Sequence, residues 1–295
     1  MLLLISSLLL MSCGADKYMK KGEKFLALGE YYDAAYQFKQ AYTRTPVKER
    51  DTRGKRALKM AQCYQRINAT PKAIAAYRNA IRYNQASKED QLAYARQLLK
   101  NGDYRQAEKV FQMYKDSMPG NQPVANGLKS AQMAPEWKKQ GSRYIVKRMD
   151  VFNSRRHDYS PVLFGDDYDQ LYFTSTRNEA LGDELSGITG TKAGDIFLSE
   201  KDDRGKWSKP EAIGTGLNTD YDEGACCFTP DGREMYLTQC VTDPSYPRYA
   251  QIVKSNRSDA AWGKASSVEL TKDTLSCFAH PAVSPDGQWL YFVSD

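Results

Sequence analysis

The chain has 295 residues, 26% charged and 41% hydrophobic, which is ordinary globular chemistry with ample length for one large domain or two moderate ones. Its net charge of +6 conceals a split: residues 13–157 carry 30 Lys and Arg against 13 Asp and Glu, while residues 158–295 carry 12 against 23. Opposite signs in the two halves predict two domains with a boundary near residue 150. Only two histidines are present, and none of the six cysteines shows a C-x-x-C spacing, which excludes the metalloprotease motifs and the common zinc frameworks.

Residues 1–12, MLLLISSLLLMS, are apolar and uncharged and lead into Cys13-Gly14. Twelve residues are too few to span a bilayer, which takes about 20, but they suit the apolar region of an export signal. Leu9 to Cys13, LLMSC, resembles the bacterial lipobox, which implies cleavage before Cys13 and a lipid on its thiol. No Lys or Arg precedes the apolar run, a departure from the usual signal.

Helical periodicity then repeats. Gly22, Phe25, Gly29, Tyr31, Ala34, Phe38, Ala41 and Pro46 fall on the tetratricopeptide (TPR) pattern, in which small residues let two helices cross and rings fill the adjacent gap. Ala61, Tyr64, Ala73, Tyr77 and Ala80 repeat it, as do Ala95, Leu98, Gly102, Tyr104, Ala107, Phe111 and Pro119. Ala34, Ala73 and Ala107 lie 39 and 34 residues apart, so the first interval holds about five extra residues, placed in VKERDTRGK. The predicted repeats are 13–48, 49–86 and 87–120, with a capping helix and linker at 121–148. Cys63 reads as a small core residue. The face between the repeats, rich in Lys and Arg, suits an acidic protein partner. Nucleic acid is not expected, since an exported chain shows no reading motif.

From residue 149 the period becomes alternating. YSPVLFGDDYDQLYFTST, EGACCFTPDGREMYLTQ and HPAVSPDGQWLYFVSD each give a strand, a turn and a second strand centred on Tyr172, Tyr236 or Tyr291. Between them, two further segments each give a strand, a polar turn and a tryptophan, Trp207 and Trp262, 55 residues apart. Four short strands per unit predict blades of a β-propeller, about two and a half over 149–295. Because propellers close as rings of four to eight blades, the expectation is that the chain is the front part of a longer protein; its rival is a natural short form closed between chains.

The fold class expected is thus multidomain: an all-α TPR solenoid, then an all-β, incomplete TolB- or WD40-like propeller. The SPDG…LYF and TPDG…MYL hairpins are similar to the PD-type repeat of TolB-like propellers. The order lipobox, TPR, propeller resembles the Bacteroidetes envelope lipoproteins that end in an OmpA-like domain, a type IX secretion component among them. That resemblance implies a scaffold anchored at the periplasmic face of the outer membrane. Its partners would be envelope proteins at the TPR groove and the propeller, and peptidoglycan only through a C-terminal region beyond residue 295.

Candidate chemistry is sparse. Asp166, Asp167 and Asp169, and likewise Asp220, Asp222 and Glu223, are oxygen clusters that suit calcium but read as solvated loops. Ser160 and Ser284, near His157 and His280, lack a nucleophile elbow. Cys226 and Cys227 must point to opposite faces of a strand; the pairing of Cys226, Cys227, Cys240 and Cys277 stays open. DSM (116–118) and DTL (273–275) resemble a short O-glycosylation sequon. No catalytic residue, metal or cofactor is expected, and lipidation at Cys13 is the one site assigned. The alternatives are a ligand-, metal- or glycan-sensing propeller, the front of a propeller-containing hydrolase, and an assembly role for the TPR region alone.

Overall fold

The computed structural model describes residues 2–115, 117–214, 216–241, 249–259, 261–272 and 276–295; the side chains of residues 2–13 and 249 lie outside that description. The chain divides into two compact units, Met1–Ile145 with Gly187–Gly190, and Val146–Ser186 with Thr191–Asp295. The first is all-α and the second all-β, joined by antiparallel pairing throughout its sheets.

The helical unit consists of α1 (Leu2–Ala27), α2 (Tyr31–Arg44), α3 (Arg50–Arg66), α4 (Thr70–Arg82), α5 (Lys88–Asn101), α6 (Tyr104–Lys115) and α7 (Gln122–Gln140). Each helix packs on the next, as short connections require of neighbouring helices. The small residues of the repeat form the seams: Ala34, Ala41, Ala61, Ala73, Ala80, Ala95 and Ala107 are fully buried, and Phe38, Tyr77 and Phe111 fill the spaces beside them. A Cβ on Gly22 would meet the Phe38 ring at 2.5 Å, and one on Gly127 would run into the Phe111 ring. Gly127 is a seam that the repeat pattern does not mark. The helix ends follow from local chemistry. Ser87 and Asp90 form a reciprocal capping box at α5. Gly102, at φ 84°, ends the same helix in the left-handed region. Asn121 caps α7, and α2 ends just before Pro46. The extra residues of the first interval are not a loop: most of VKERDTRGK is the opening of α3, which has 17 residues against 14 in α5. No helix among the described residues is long and apolar enough to cross a membrane.

In the β unit, β1 (Asp158–Phe164), β2 (Gln170–Ser175), β3 (Asp195–Glu200) and β4 (Glu211–Ala212) pair in that order. A second sheet runs β5 (Asp222–Phe228), β6 (Glu234–Val241), β7 (Tyr249–Ser258) and β8 (Ala261–Trp262), with β9 (Ser266–Ser267) also on β7. Then β10 (Phe278–Val283) pairs with β11 (Leu290–Ser294). Tyr172, Ile196, Cys226, Met235, Leu237 and Val253 form the core between the first two sheets. Phe164, Phe228 and Trp262 close it as an aromatic cluster, with Phe164 and Phe228 4.3 Å apart and Trp262 Nε1 donating to Tyr172 Oη at 3.1 Å.

One local device occurs three times. The first strand of each sheet breaks register between Tyr159 and Val162, Gly224 and Cys227, and Ala279 and Ala282. There Ser160, Ala225 and His280 take φ of 51°, 47° and 55°, a bulge conformation that non-glycine residues rarely adopt. The Ala225 N–H donates to Thr174 Oγ1 of the preceding sheet at 3.3 Å, and the His280 N–H donates to Thr238 Oγ1 at 2.8 Å. The bulge thereby turns a backbone donor out of its own ladder and ties one sheet to the next. The Pro-Asp-Gly turns are equally repetitive. Gly232 and Gly287 have φ of 66° and 72°, and Asp231 and Asp286 each accept from the hydroxyl two residues before and the N–H two residues after.

Candidate functional site

Residues of helices α1 to α5 line a concavity of about 570 Å³ on the helical unit. Its wall is set by spacing: Gln62, Gln65 and Arg66 share one face of α3, and Glu89, Asp90 and Ala93 one face of α5. Tyr77 Oη donates to Gln65 Oε1 at 2.6 Å, and Gln62 Nε2 donates to Asp90 Oδ1 at 3.1 Å. The other Asp90 oxygen accepts from the Ser87 N–H, so the N-cap of α5 fixes the carboxylate. The Arg66 guanidinium lies 5.7 Å from the Tyr31 ring centroid. Burial, then the Asp90 charge, push the Tyr77 phenol up to about 12, so it remains a donor at neutral pH.

This groove is less basic than the Lys and Arg content of the helices predicts. Several of those cations are engaged at helix seams. Arg56 is buried and bonds Asp16, Thr45 and the Ala41 carbonyl. Lys59 sits 3.3 Å from Glu23, and Lys100 bonds Asn68. What remains at the groove is one guanidinium, two carboxylates and two amides, a mixed set suited to hydrogen-bonding an extended peptide.

The acidic loops of the β unit serve its fold. Glu223 is 1% exposed; it accepts from the Thr219 N–H at 2.9 Å, Thr219 Oγ1 at 2.6 Å and Gln239 Nε2 at 3.0 Å. Burial raises its carboxyl to about 7 against those hydrogen bonds. Asp195 is fully buried beside it; its Oδ2 accepts from the Leu181 N–H while its Oδ1 has no partner, and burial raises it to about 6. Asp222 accepts from the Gly194 N–H. No group of three or more His, Cys, Asp or Glu among the described residues is arranged to hold a metal ion. Asp166 and Asp167 are exposed in the turn between β1 and β2.

The remaining candidates are placed as follows. Ser284 Oγ donates to Asp286 and accepts from the Trp289 N–H, so its hydroxyl belongs to the turn. Ser160 and His280 are bulge residues, and the His157 backbone N–H donates to Thr176. Cys226 is buried in the core and Cys227 half-buried, as strand alternation requires. Burial pushes their thiols up to about 12 and about 11, away from the thiolate that redox chemistry needs. Cys63 is buried in the helical core, its thiol raised by burial to about 12. The Cys13 side chain, Asp116 and residues 273–275 lie outside the described residues, and with them the lipid site and parts of both sequon-like triplets.

Two residues that sequence reasoning missed hold the β unit together. Asn218 is buried; its Oδ1 accepts from the Ile196 N–H and its Nδ2 donates to the carbonyls of Ile196 and Ile213, each at 2.9 Å. Arg177, also buried, pairs with Asp158 at 2.8 Å.

No protein-family model matches the chain, and none of the curated proteins matches it. Among solved structures, the C-terminal TPR-containing domain of a Plasmodium falciparum FK506-binding protein is similar, with 14% identity and a TM-score of 0.37 over 44% of this chain and 94% of that one. The Sgt2 TPR domain from Aspergillus fumigatus is similar with 17% identity and a TM-score of 0.34, over 46% of this chain and 88% of that one.

Proposed function

We propose that this chain is a non-enzymatic scaffold of the bacterial cell envelope, which binds protein partners in the groove of a TPR-type helical array and is tethered by a lipid on Cys13. The observation that carries the binding role is the groove itself. Five helices line one concavity, in which two amides and the Asp90 carboxylate are held by side-chain and capping hydrogen bonds and the Arg66 guanidinium lies over the Tyr31 ring. Such preorganised polar groups lower the cost of ordering a bound peptide. The succession of antiparallel sheets, each opening on a bulged hairpin, supports a propeller reading for the β unit, as a second docking platform. The lipobox-like LLMSC and the order of modules support an outer-membrane, periplasm-facing location, in a secretion or wall-linked assembly.

The test of the groove is site-specific photo-crosslinking in cells. A photoreactive residue at Gln62 is expected to give discrete adducts with envelope proteins, and the same group at exposed Lys129 on α7 is not. Equal adduct patterns at the two positions, or none at Gln62, would end the groove reading. The anchor is tested by metabolic labelling with radioactive palmitate: the wild-type chain should be labelled and Cys13→Ser should not.

A further inference from the structure

Helix α1 sorts its charges by face. Its two acidic residues turn to α3: Asp16 bonds the buried Arg56, and Glu23 lies 3.3 Å from Lys59. Its four lysines, Lys17, Lys20, Lys21 and Lys24, are all exposed. They fall at i, i+3, i+4 and i+7, which puts them within about 100° of arc on one side of the helix. Ala15 and Gly22, on the other side, are buried against the array, and a Cβ on Gly22 would meet the Phe38 ring. Among the described residues no carboxylate pairs with any of the four ammonium groups; Lys21 Nζ stands 5.6 Å from the Phe25 ring centroid.

The same helix carries Cys13, one turn before Lys17, at the position where the lipobox-like LLMSC would place a lipid. At 1.5 Å per residue the stripe begins about 6 Å from Cys13 and runs for about 10 Å. A helix laid along a membrane surface would hold all four charges inside the screening distance, about 8–10 Å at physiological ionic strength. Lysine ammoniums are compact, hydrated point charges on flexible stems, which suits mobile headgroups better than the fixed geometry of a folded partner. Each lysine near an anionic leaflet strengthens association about fivefold, and a basic patch beside an acyl chain is a second membrane signal added to the first.

We propose that Lys17, Lys20, Lys21 and Lys24 form an electrostatic contact with anionic phospholipid headgroups, laying the outer face of α1 on the membrane that anchors Cys13. The choice of membrane rests on the lipid-anchor reading. The contact itself can be measured without a lipid, so the two fail separately.

The test is vesicle co-sedimentation of the full chain made in a cell-free reaction, which adds no acyl group. Binding to phosphatidylcholine vesicles reads the apolar residues 1–12, and the gain on adding phosphatidylglycerol reads charge. A gain of at least tenfold is expected, abolished at about 1 M salt, where the screening distance shrinks to about 3 Å. The quadruple variant Lys17→Gln, Lys20→Gln, Lys21→Gln, Lys24→Gln should lose the gain and keep both its phosphatidylcholine binding and its helical melting temperature. A control removing the same charge from exposed positions on α5, α6 and α7, Lys88→Gln, Lys109→Gln, Lys115→Gln, Lys129→Gln, should keep the gain. Three results would overturn the proposal: no gain with phosphatidylglycerol; a gain that the stripe variant retains; or an equal loss in the control, which marks net charge and not the stripe. Capture of soluble poly-glutamate by the wild-type chain and not by the stripe variant, with no gain on vesicles, would assign the stripe to an acidic protein instead.

Discussion

Arg177 holds five partners at once: Asp158, the Phe152 carbonyl, Ser175 Oγ and the faces of Phe173 and Phe197, with ring centroids at 5.1 and 4.7 Å. Burial alone would raise the Asp158 carboxyl, but bonds from Ser175, Ser154 and Arg177 outweigh it and hold the group below its ordinary value. Removing the cation strands a buried carboxylate. Arg177→Ala is therefore expected to destabilise the β unit by about 3–5 kcal/mol, while Arg177→Met with Asp158→Asn should cost clearly less. Urea melts of the β unit measure both, and equal losses would show that packing, not charge, is the larger effect. Asn218 makes a similar case with neutral groups. Asn218→Ala leaves the buried Ile196 N–H without its acceptor, for an expected loss of about 1–3 kcal/mol. Neither residue was legible in the sequence, because each acts on groups far along the chain: Asn218 bonds Ile196 22 residues away, and Arg177 bonds Asp158 19 residues away. The aspartates of the Pro-Asp-Gly turns were legible, since their partners lie two residues to either side.

Among elements, the helices were the most readable, because a period of 3.6 and a small-residue seam are both local facts. The seam makes a sharp prediction. Alanine for glycine in a helix interior gains about 0.5–1 kcal/mol of backbone entropy. At Gly22 the added methyl meets the Phe38 ring at 2.5 Å, and overpacking of that kind costs about 1–3 kcal/mol. Gly22→Ala should thus lower the helical unit's stability, and Gly22→Ala with Phe38→Leu should recover part of the loss in a thermal melt followed by circular dichroism. A stabilised Gly22→Ala would show that α1 and α2 part without cost. The strands were readable as hairpins, but their bulges were not. Ser160, Ala225 and His280 share no residue type, only a place in the repeat where a backbone N–H leaves its ladder; for Ala225 and His280 it turns to a threonine of the preceding sheet. The groove was foreseen as a face but not in its charge, because lysines and arginines of one helix are consumed by partners on its neighbours.

At the scale of the whole molecule, the chain divides into two compact units, and that division has a thermodynamic signature. Among the described residues of the helical unit, the shifted groups are Arg53, Cys63, Tyr64, Tyr77 and Tyr114, all raised from ordinary values that already lie well above neutrality. In the β unit, Glu223 and Asp195 are raised to about 7 and about 6. A carboxyl raised on folding keeps its proton in the native state while the unfolded chain has already released it. Its stabilising contribution is whole below the unfolded value, near 4, and is lost as pH rises through 6 to 7. Between about pH 4.5 and 7.5 the β-unit transition should therefore fall in temperature while the helical transition stays nearly level. Asp158, held low, acts in the opposite sense only below that window, where its bonds are lost as the carboxyl protonates. Scanning calorimetry across this range, with Glu223→Gln as the control, separates the two: the substitution should flatten the β-unit slope. A slope that survives it would place the titrating group at Asp195, whose unpartnered Oδ1 leaves a neutral carboxyl as the least costly form in that core.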